Sequence, residues 1–186
     1  MASLGELEQR ARCCTRCPLA AGRVNVVFGA GDPAAGLMLV GEGPGREEDL
    51  TGLPFVGRSG ALLDRLIAEE LGMQRSSCYI ANVVKCRPPG NRDPLPAEVE
   101  ACREYLDAQV ELVDPRVVVT LGNFATRTLL RSTQGITALR GRVYPYGRGF
   151  LVPTYHPAAA LRGGGEVTAG MRADLVRARR AMEGVA

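Results

Sequence analysis

Tryptophan is absent from the 186-residue sequence, and histidine and lysine occur once each, as His156 and Lys85. Any imidazole chemistry therefore falls on His156. Long apolar runs are missing too: none approaches the ~18 residues a membrane-crossing helix requires. The first ten residues, MASLGELEQR, are polar and helical in character and hold no apolar stretch of the secretory kind. There is no low-complexity segment and no internal repeat. These absences point to a soluble cytoplasmic protein without a membrane partner. The length fits a single domain over 1–186.

The charge that is present is unevenly placed. Residues 1–114 carry 12 Lys and Arg against 17 Asp and Glu, whereas 115–186 carry 11 against 3. Such asymmetry suggests a nucleic-acid-facing surface, and a solvated basic face gives the same pattern. The cations are almost all arginine, whose planar fork suits phosphate.

Four short apolar runs, 37–40, 78–84, 116–121 and 150–154, have the composition and length of buried strands. Helical stretches over 60–71, 97–113, 125–130 and 169–182 separate or follow them. Alternating strand and helix predicts an α/β fold, with three layers and a central four-stranded parallel sheet. Prolines 88, 89, 94 and 96 and the glycines of 141–149 and 163–165 mark irregular connections. The predicted strands end in Gly41-Glu42-Gly43-Pro44-Gly45, near Asn82, in Leu121-Gly122-Asn123 and in Tyr155-His156-Pro157. Ligands of open α/β sheets bind beyond the carboxyl ends of the strands, which places an active site there.

Six cysteines in a cytoplasmic protein suggest metal binding rather than disulfides. Cys14 and Cys17 form a CxxC pair, while Cys86 and Cys102 are widely spaced. The CxxC precedes the first predicted strand, unlike a thioredoxin-type redox pair. Four thiolates suit zinc or an iron–sulfur cluster, and the lack of a second CxxC favours the cluster. Cys13 could replace Cys14 as a ligand, and Cys78 reads as a small buried hydrophobe.

At the strand ends, His156 could donate one hydrogen bond to a developing oxyanion, or simply pack in the core. The Gly-rich turn 41–45 is neither a Walker A loop nor a dinucleotide fingerprint, but its backbone can approach a planar ligand closely. Acids gather beside it at Glu42, Glu47, Glu48 and Asp49. Phe55, in a Gly-bounded loop, is either a stacking platform or a core anchor. The Asn82 amide can read donor and acceptor edges of a base, or cap a turn.

Taken together, the segments 14–17 (CTRC), 41–49 (GEGPGREED), 52–60 (GLPFVGRSG), 82–92 (NVVKCRPPGNR), Cys102, Leu121-Gly122 and 153–159 (PTYHPAA) resemble the family 4 uracil-DNA glycosylases, the iron–sulfur type. The resemblance implies a structural [4Fe–4S] cluster on Cys14, Cys17, Cys86 and Cys102. That cluster would join the N-terminal helix to the proline-rich loop 86–102. It implies uracil stacked on Phe55 and read by Asn82, with its O2 met by His156 and by backbone N–H groups near Gly43, in a pocket that also uses Gly41 and Glu42. The partner would be uracil-containing DNA, with the base flipped into the pocket and released as free uracil by a monofunctional, nucleoid-associated monomer. Glu47 is the expected wall against the methyl group of thymine.

Two positions depart from the best-known uracil glycosylases. Gly43 stands where an Asp orients water, which leaves Glu42 as the nearest carboxylate. Ala160 stands where a Leu wedges into the duplex, which leaves Leu161 or Arg162 for that contact. Rival readings are a same-fold enzyme for other damaged bases, a covalent trap of the abasic site, and a non-enzymatic iron–sulfur binder of nucleic acid. The trap would need a nucleophile that only His156 could provide. The binder would not need Phe55, Asn82 and His156 all at strand ends.

Overall fold

In the computed structural model, which describes residues 3–184, the chain starts with α1 (Leu4–Arg12) and α2 (Leu19–Gly22). A capping box starts α1: Ser3 Oγ accepts from Glu6 N–H and Glu6 Oε2 accepts from Ser3 N–H. The order continues β1 (Ala30–Gly31), β2 (Leu37–Gly41), α3 (Arg46–Thr51), α4 (Arg58–Leu66), β3 (Tyr79–Asn82), α5 (Pro96–Val113) and β4 (Val117–Leu121). It ends α6 (Asn123–Leu130), α7 (Ile136–Leu139), β5 (Tyr144–Tyr146), β6 (Gly149–Thr154) and α8 (Pro157–Met182).

The sheet is six-stranded and mixed, in the order β1-β3-β2-β4-β6-β5. This corrects the expected four-stranded parallel sheet. β3, β2, β4 and β6 do run parallel, but β1 and β5 add antiparallel edges. β1 is two residues long, and a Cβ on Gly31 would lie 1.8 Å from the Cys78 carbonyl oxygen. Only glycine lets this edge close against β3. β5 is joined to β6 by the two-residue turn Gly147-Arg148, with Gly147 at φ +56°.

β2 and β4 are buried along their whole length, as strands covered on both faces must be. Alternation assigns the faces. Leu37, Leu39, Val117 and Val119 pack with Leu63 and Leu66 of α4 and Met171 and Leu175 of α8. Met38, Val40 and Val118 pack with Leu7 of α1 and Tyr105 and Leu106 of α5. At about 25 cal/mol per Å² of apolar area, these two layers are the main stabilising term.

α8 is longer than expected. It begins at Pro157 rather than near 169 and passes through the triple glycine, where Gly164 (φ +71°, ψ −151°) breaks its regularity. α3 was also not expected from the sequence. Among the described residues no helix is long and apolar enough to cross a membrane.

Candidate active site

The carboxyl ends of the four parallel strands open into a cleft of about 880 Å³. Glu42, Gly43, Phe55, Asn82 and His156 all line it, beside Glu48, Tyr155 and Arg162. The sheet register brings two of its walls together, since Gly41 pairs with Asn82 across β2 and β3. A Cβ on Gly41 would lie 2.5 Å from Asn82 Oδ1 and 2.6 Å from Phe55 Cζ. A Cβ on Gly43 would lie 2.7 Å from Val84 Cγ2. The first and third residues of the Gly-rich turn are thus glycines because other side chains occupy their space.

His156 is the N-cap of α8, and its Nδ1 accepts from the Ala158 N–H at 3.1 Å. A neutral imidazole with Nδ1 as acceptor carries its proton on Nε2. Burial, reinforced by the Arg162 charge and opposed by Glu48, pushes His156 down to about 4. The ring is therefore a neutral Nε2–H donor at physiological pH. The corner that presents it is braced beneath. Thr154 Oγ1 donates to the buried Asp174 at 2.9 Å, and Arg140 pairs with the same carboxylate and covers the Tyr155 ring at 4.8 Å.

Phe55 sits 5.7 Å from the His156 ring, centroid to centroid, at an interplanar angle of 34°. Its backbone is left-handed, at φ +52°. For a bulky non-glycine residue this costs about 1–3 kcal/mol and needs support from its surroundings. The Arg75 guanidinium donates to the carbonyls of Phe55, at 2.7 Å, and of Pro54. Gly60 passes beneath, where a Cβ would lie 1.8 Å from the Phe55 carbonyl oxygen.

Asn82 is buried, and its Oδ1 has no hydrogen-bond partner. Its backbone carbonyl accepts from Lys85 Nζ at 2.7 Å. Lys85 is itself 1% exposed, also donates to Gln109, and is pushed down by burial to about 8. Glu42 is half-buried, and burial, with Asp93 adding, pushes its carboxyl up to about 7. A carboxylate poised near neutrality suits proton acceptance.

The wall position expected of Glu47 needs correction. Glu47 is exposed and does not line the cleft, whereas its neighbour Glu48 does. Glu48 is locked in place, with Oε1 accepting from Val56 N–H and Gly57 N–H and Oε2 from Gly45 N–H. The two residues are adjacent, and only the helical phase of α3 separates them. Leu161 is 42% exposed on the first turns of α8, and Arg162 reaches into the cleft.

The four cysteines of the resemblance share one core layer and do not line this cleft. Cys86 and Cys102 are buried, and Cys14 and Cys17 pack half-buried against the same core. Cys13 is exposed, and Cys78 belongs to the opposite core layer. Arg23 donates to Cys86 Sγ at 3.4 Å and to the Cys14 carbonyl at 2.7 Å. The Lys85 N–H donates to Cys102 Sγ at 3.3 Å. Burial pushes the Cys86 thiol up to about 11 and raises Cys102, in each case with neighbouring cysteines adding. At Cys14 burial also raises the thiol, but hydrogen bonds from Arg16 and Tyr105 outweigh it and leave the group below its ordinary value. Among the described residues no three His, Cys, Asp or Glu side chains close on a single metal ion. The donor set is all sulfur with N–H donors around it, chemistry that fits an iron–sulfur cluster and also a four-thiolate zinc site.

Sequence reasoning missed Glu48 as a cleft residue, the Arg75 support and the Lys85–Asn82 contact. The lone lysine was visible, but its burial was not. Lys85 lies immediately before Cys86, and a single cation inside a hydrophobic strand end is the signal that could have found it.

Comparison with known proteins agrees with this geometry. Residues 28–178 match the uracil DNA glycosylase superfamily. The chain is 44% identical to the type-4 uracil-DNA glycosylase of Sulfurisphaera tokodaii, over 87% of this chain and 77% of that protein. It is 46% identical to the type-4 enzyme of Thermotoga maritima, over 84% of this chain and 82% of that one. Against the type-4 enzyme of Archaeoglobus fulgidus the identity is 42%, over 87% and 84%. On the match over 28–178 and these identities, the chain belongs to the uracil DNA glycosylase superfamily, among the type-4 uracil-DNA glycosylases.

Proposed function

We propose that the chain excises uracil from DNA by hydrolysing its N-glycosidic bond, leaving an abasic site. The unpartnered Asn82 Oδ1 carries this reading. Leaving a buried acceptor unsatisfied costs about 1–3 kcal/mol, so the cleft awaits a ligand with a donor at that point. The uracil edge supplies one at N3–H, and its O4 accepts from the same amide. Cytosine offers an acceptor at N3 and a donor amino group in place of O4, the same pattern that Asn82 presents, so acceptor would face acceptor and donor would face donor.

The base enters flipped from the duplex and stacks on Phe55. As the bond to C1′ breaks, negative charge grows on the uracil ring. His156 Nε2–H meets it at O2, together with the backbone at Gly43. Glu42 holds the water and takes its proton. Glu48, fixed by three backbone N–H groups, stands against a methyl group at C5. Leu161 is the wedge at the duplex, and Arg162 faces a phosphate. Cys14, Cys17, Cys86 and Cys102 would hold a [4Fe–4S] cluster, whose contribution is to cross-link the N-terminal segment to the loop after β3.

The test is incubation with end-labelled oligonucleotides carrying one uracil, thymine or cytosine, followed by alkali and a denaturing gel. Alkali-dependent cleavage at uracil alone is expected. His156→Ala should lower the single-turnover rate by roughly 10²–10³, the value of one oxyanion donor. No cleavage at uracil by cluster-loaded protein would overturn the proposal.

A further inference from the structure

The stacking platform does not hold itself. Phe55 has a left-handed backbone without being glycine. Its ring fills the space left by the missing Cβ of Gly41, so the ring position depends on that backbone state. Two successive carbonyls, of Pro54 and Phe55, are turned toward one guanidinium, that of Arg75. Arg75 comes from the turn Arg75–Ser77, 20 residues along the chain from Phe55. Its Nη1 also pairs with Asp64 of α4 at 3.1 Å, which anchors the fork from the opposite side. Arg75 itself does not line the cleft.

We infer that Arg75, held by Asp64, is a positioning residue for uracil recognition, clamping the Pro54 and Phe55 carbonyls so that the Phe55 ring stays in the cleft. The inference rests on the proposed role of Phe55 as the stacking surface. A planar fork reaches the two carbonyls through two separate nitrogens held in fixed geometry, which the single nitrogen of an ammonium group lacks. Without the clamp the 54–55 peptides relax toward ordinary backbone and the ring leaves its place over Gly41. The empty pocket then has to be ordered by each incoming base, and affinity falls by the cost of that ordering.

The readout is the inhibition constant of free uracil, which probes the pocket without DNA contacts, measured beside KM and kcat on a uracil oligonucleotide. In Arg75→Met the inhibition constant and KM should both rise roughly tenfold or more, with kcat falling less. Arg75→Lys should recover only part of the loss. The pH profile and the cluster absorbance should not move. An active Arg75→Met with the wild-type inhibition constant would overturn the inference, even if its melting temperature drops. Should Arg75→Met not fold, Asp64→Asn, which frees the fork but keeps its donors, reads the same constant. Wild-type kinetics there would also overturn the inference. Failure of the functional proposal itself is separate, because it appears as an inactive wild type.

Discussion

At the residue scale, Glu42 and His156 are perturbed by the same burial in opposite senses. The Glu42 carboxyl is raised from 4.5 to about 7, so the folded state binds more protons than the unfolded chain between those values. Its contribution to stability is fully present below 4.5 and lost as pH rises through 7. His156 is lowered from 6.5 to about 4, so its contribution is present above 6.5 and lost as pH falls toward 4. Glu42→Gln should therefore gain melting temperature relative to wild type as pH rises from about 5 to 8, without a gain at the acid end. The same variant should lose the acid limb of the single-turnover rate, which in wild type rises through about 7 as the carboxylate forms. A pH–rate profile of both proteins, with scanning calorimetry, checks the two effects.

At the scale of elements, the turn from β2 into α3 constrains the cleft directly. A methyl group on Gly41 would intrude on both Asn82 and Phe55. Gly41→Ala should keep the fold, because β2 is otherwise unchanged. It should cut kcat/KM for uracil oligonucleotides roughly 10²-fold or more, by displacing the base from its donors. Circular dichroism beside the kinetics separates the two effects.

The buried parallel strands were legible because each is a short apolar run bounded by turn residues. The edges were not. β1 is the Ala30-Gly31 pair, without hydrophobic signal, and it exists because Gly31 fits over Cys78. β5 is Tyr-Pro-Tyr, too short to stand out, although Gly147-Arg148 is a hairpin turn in the right place. The triple glycine read as a loop because glycine weakens helices. Packing of Met171 and Leu175 under the sheet holds α8 together despite it. Within the cleft, strand-end position pointed to Asn82 and His156, and the Gly-bounded loop to Phe55, and all three line it. Glu48 was exchanged for Glu47 because the phase of a six-residue helix cannot be read from composition.

At the scale of the whole molecule, the four cysteines proposed to hold the cluster come from separate segments of the chain. Cys14 and Cys17 lie at the N-terminal segment, Cys86 just beyond β3, and Cys102 in α5. Arg92 pairs with the buried Glu98, which fixes the proline-rich loop onto the start of the same helix. Stripping iron with a chelator should free the N-terminal segment and this loop while the sheet persists. The melting temperature should fall by roughly 10 °C, the shift that about 4 kcal/mol produces in a protein of this size. Hydrogen exchange should locate the new mobility at residues 3–23 and 86–95. Uniform exchange across β2 and β4 as well would mean that the cysteines hold the whole sheet.

One further property follows from where the lone lysine lies. Lys85 is sealed beneath Asn82 with its ammonium group occupied by two acceptors, so no lysine amine reaches the surface or the cleft. The ring-opened sugar left after base loss is an aldehyde, and bifunctional repair enzymes attack it through an amine to form an imine that leads to strand scission. This chain has no side chain for that reaction. Borohydride added during turnover should trap no lysine-linked protein–DNA adduct, and the phosphodiester should stay intact until alkali or another enzyme cuts it. On this reading, burying the lone lysine beneath Asn82 should leave the backbone of the DNA whole.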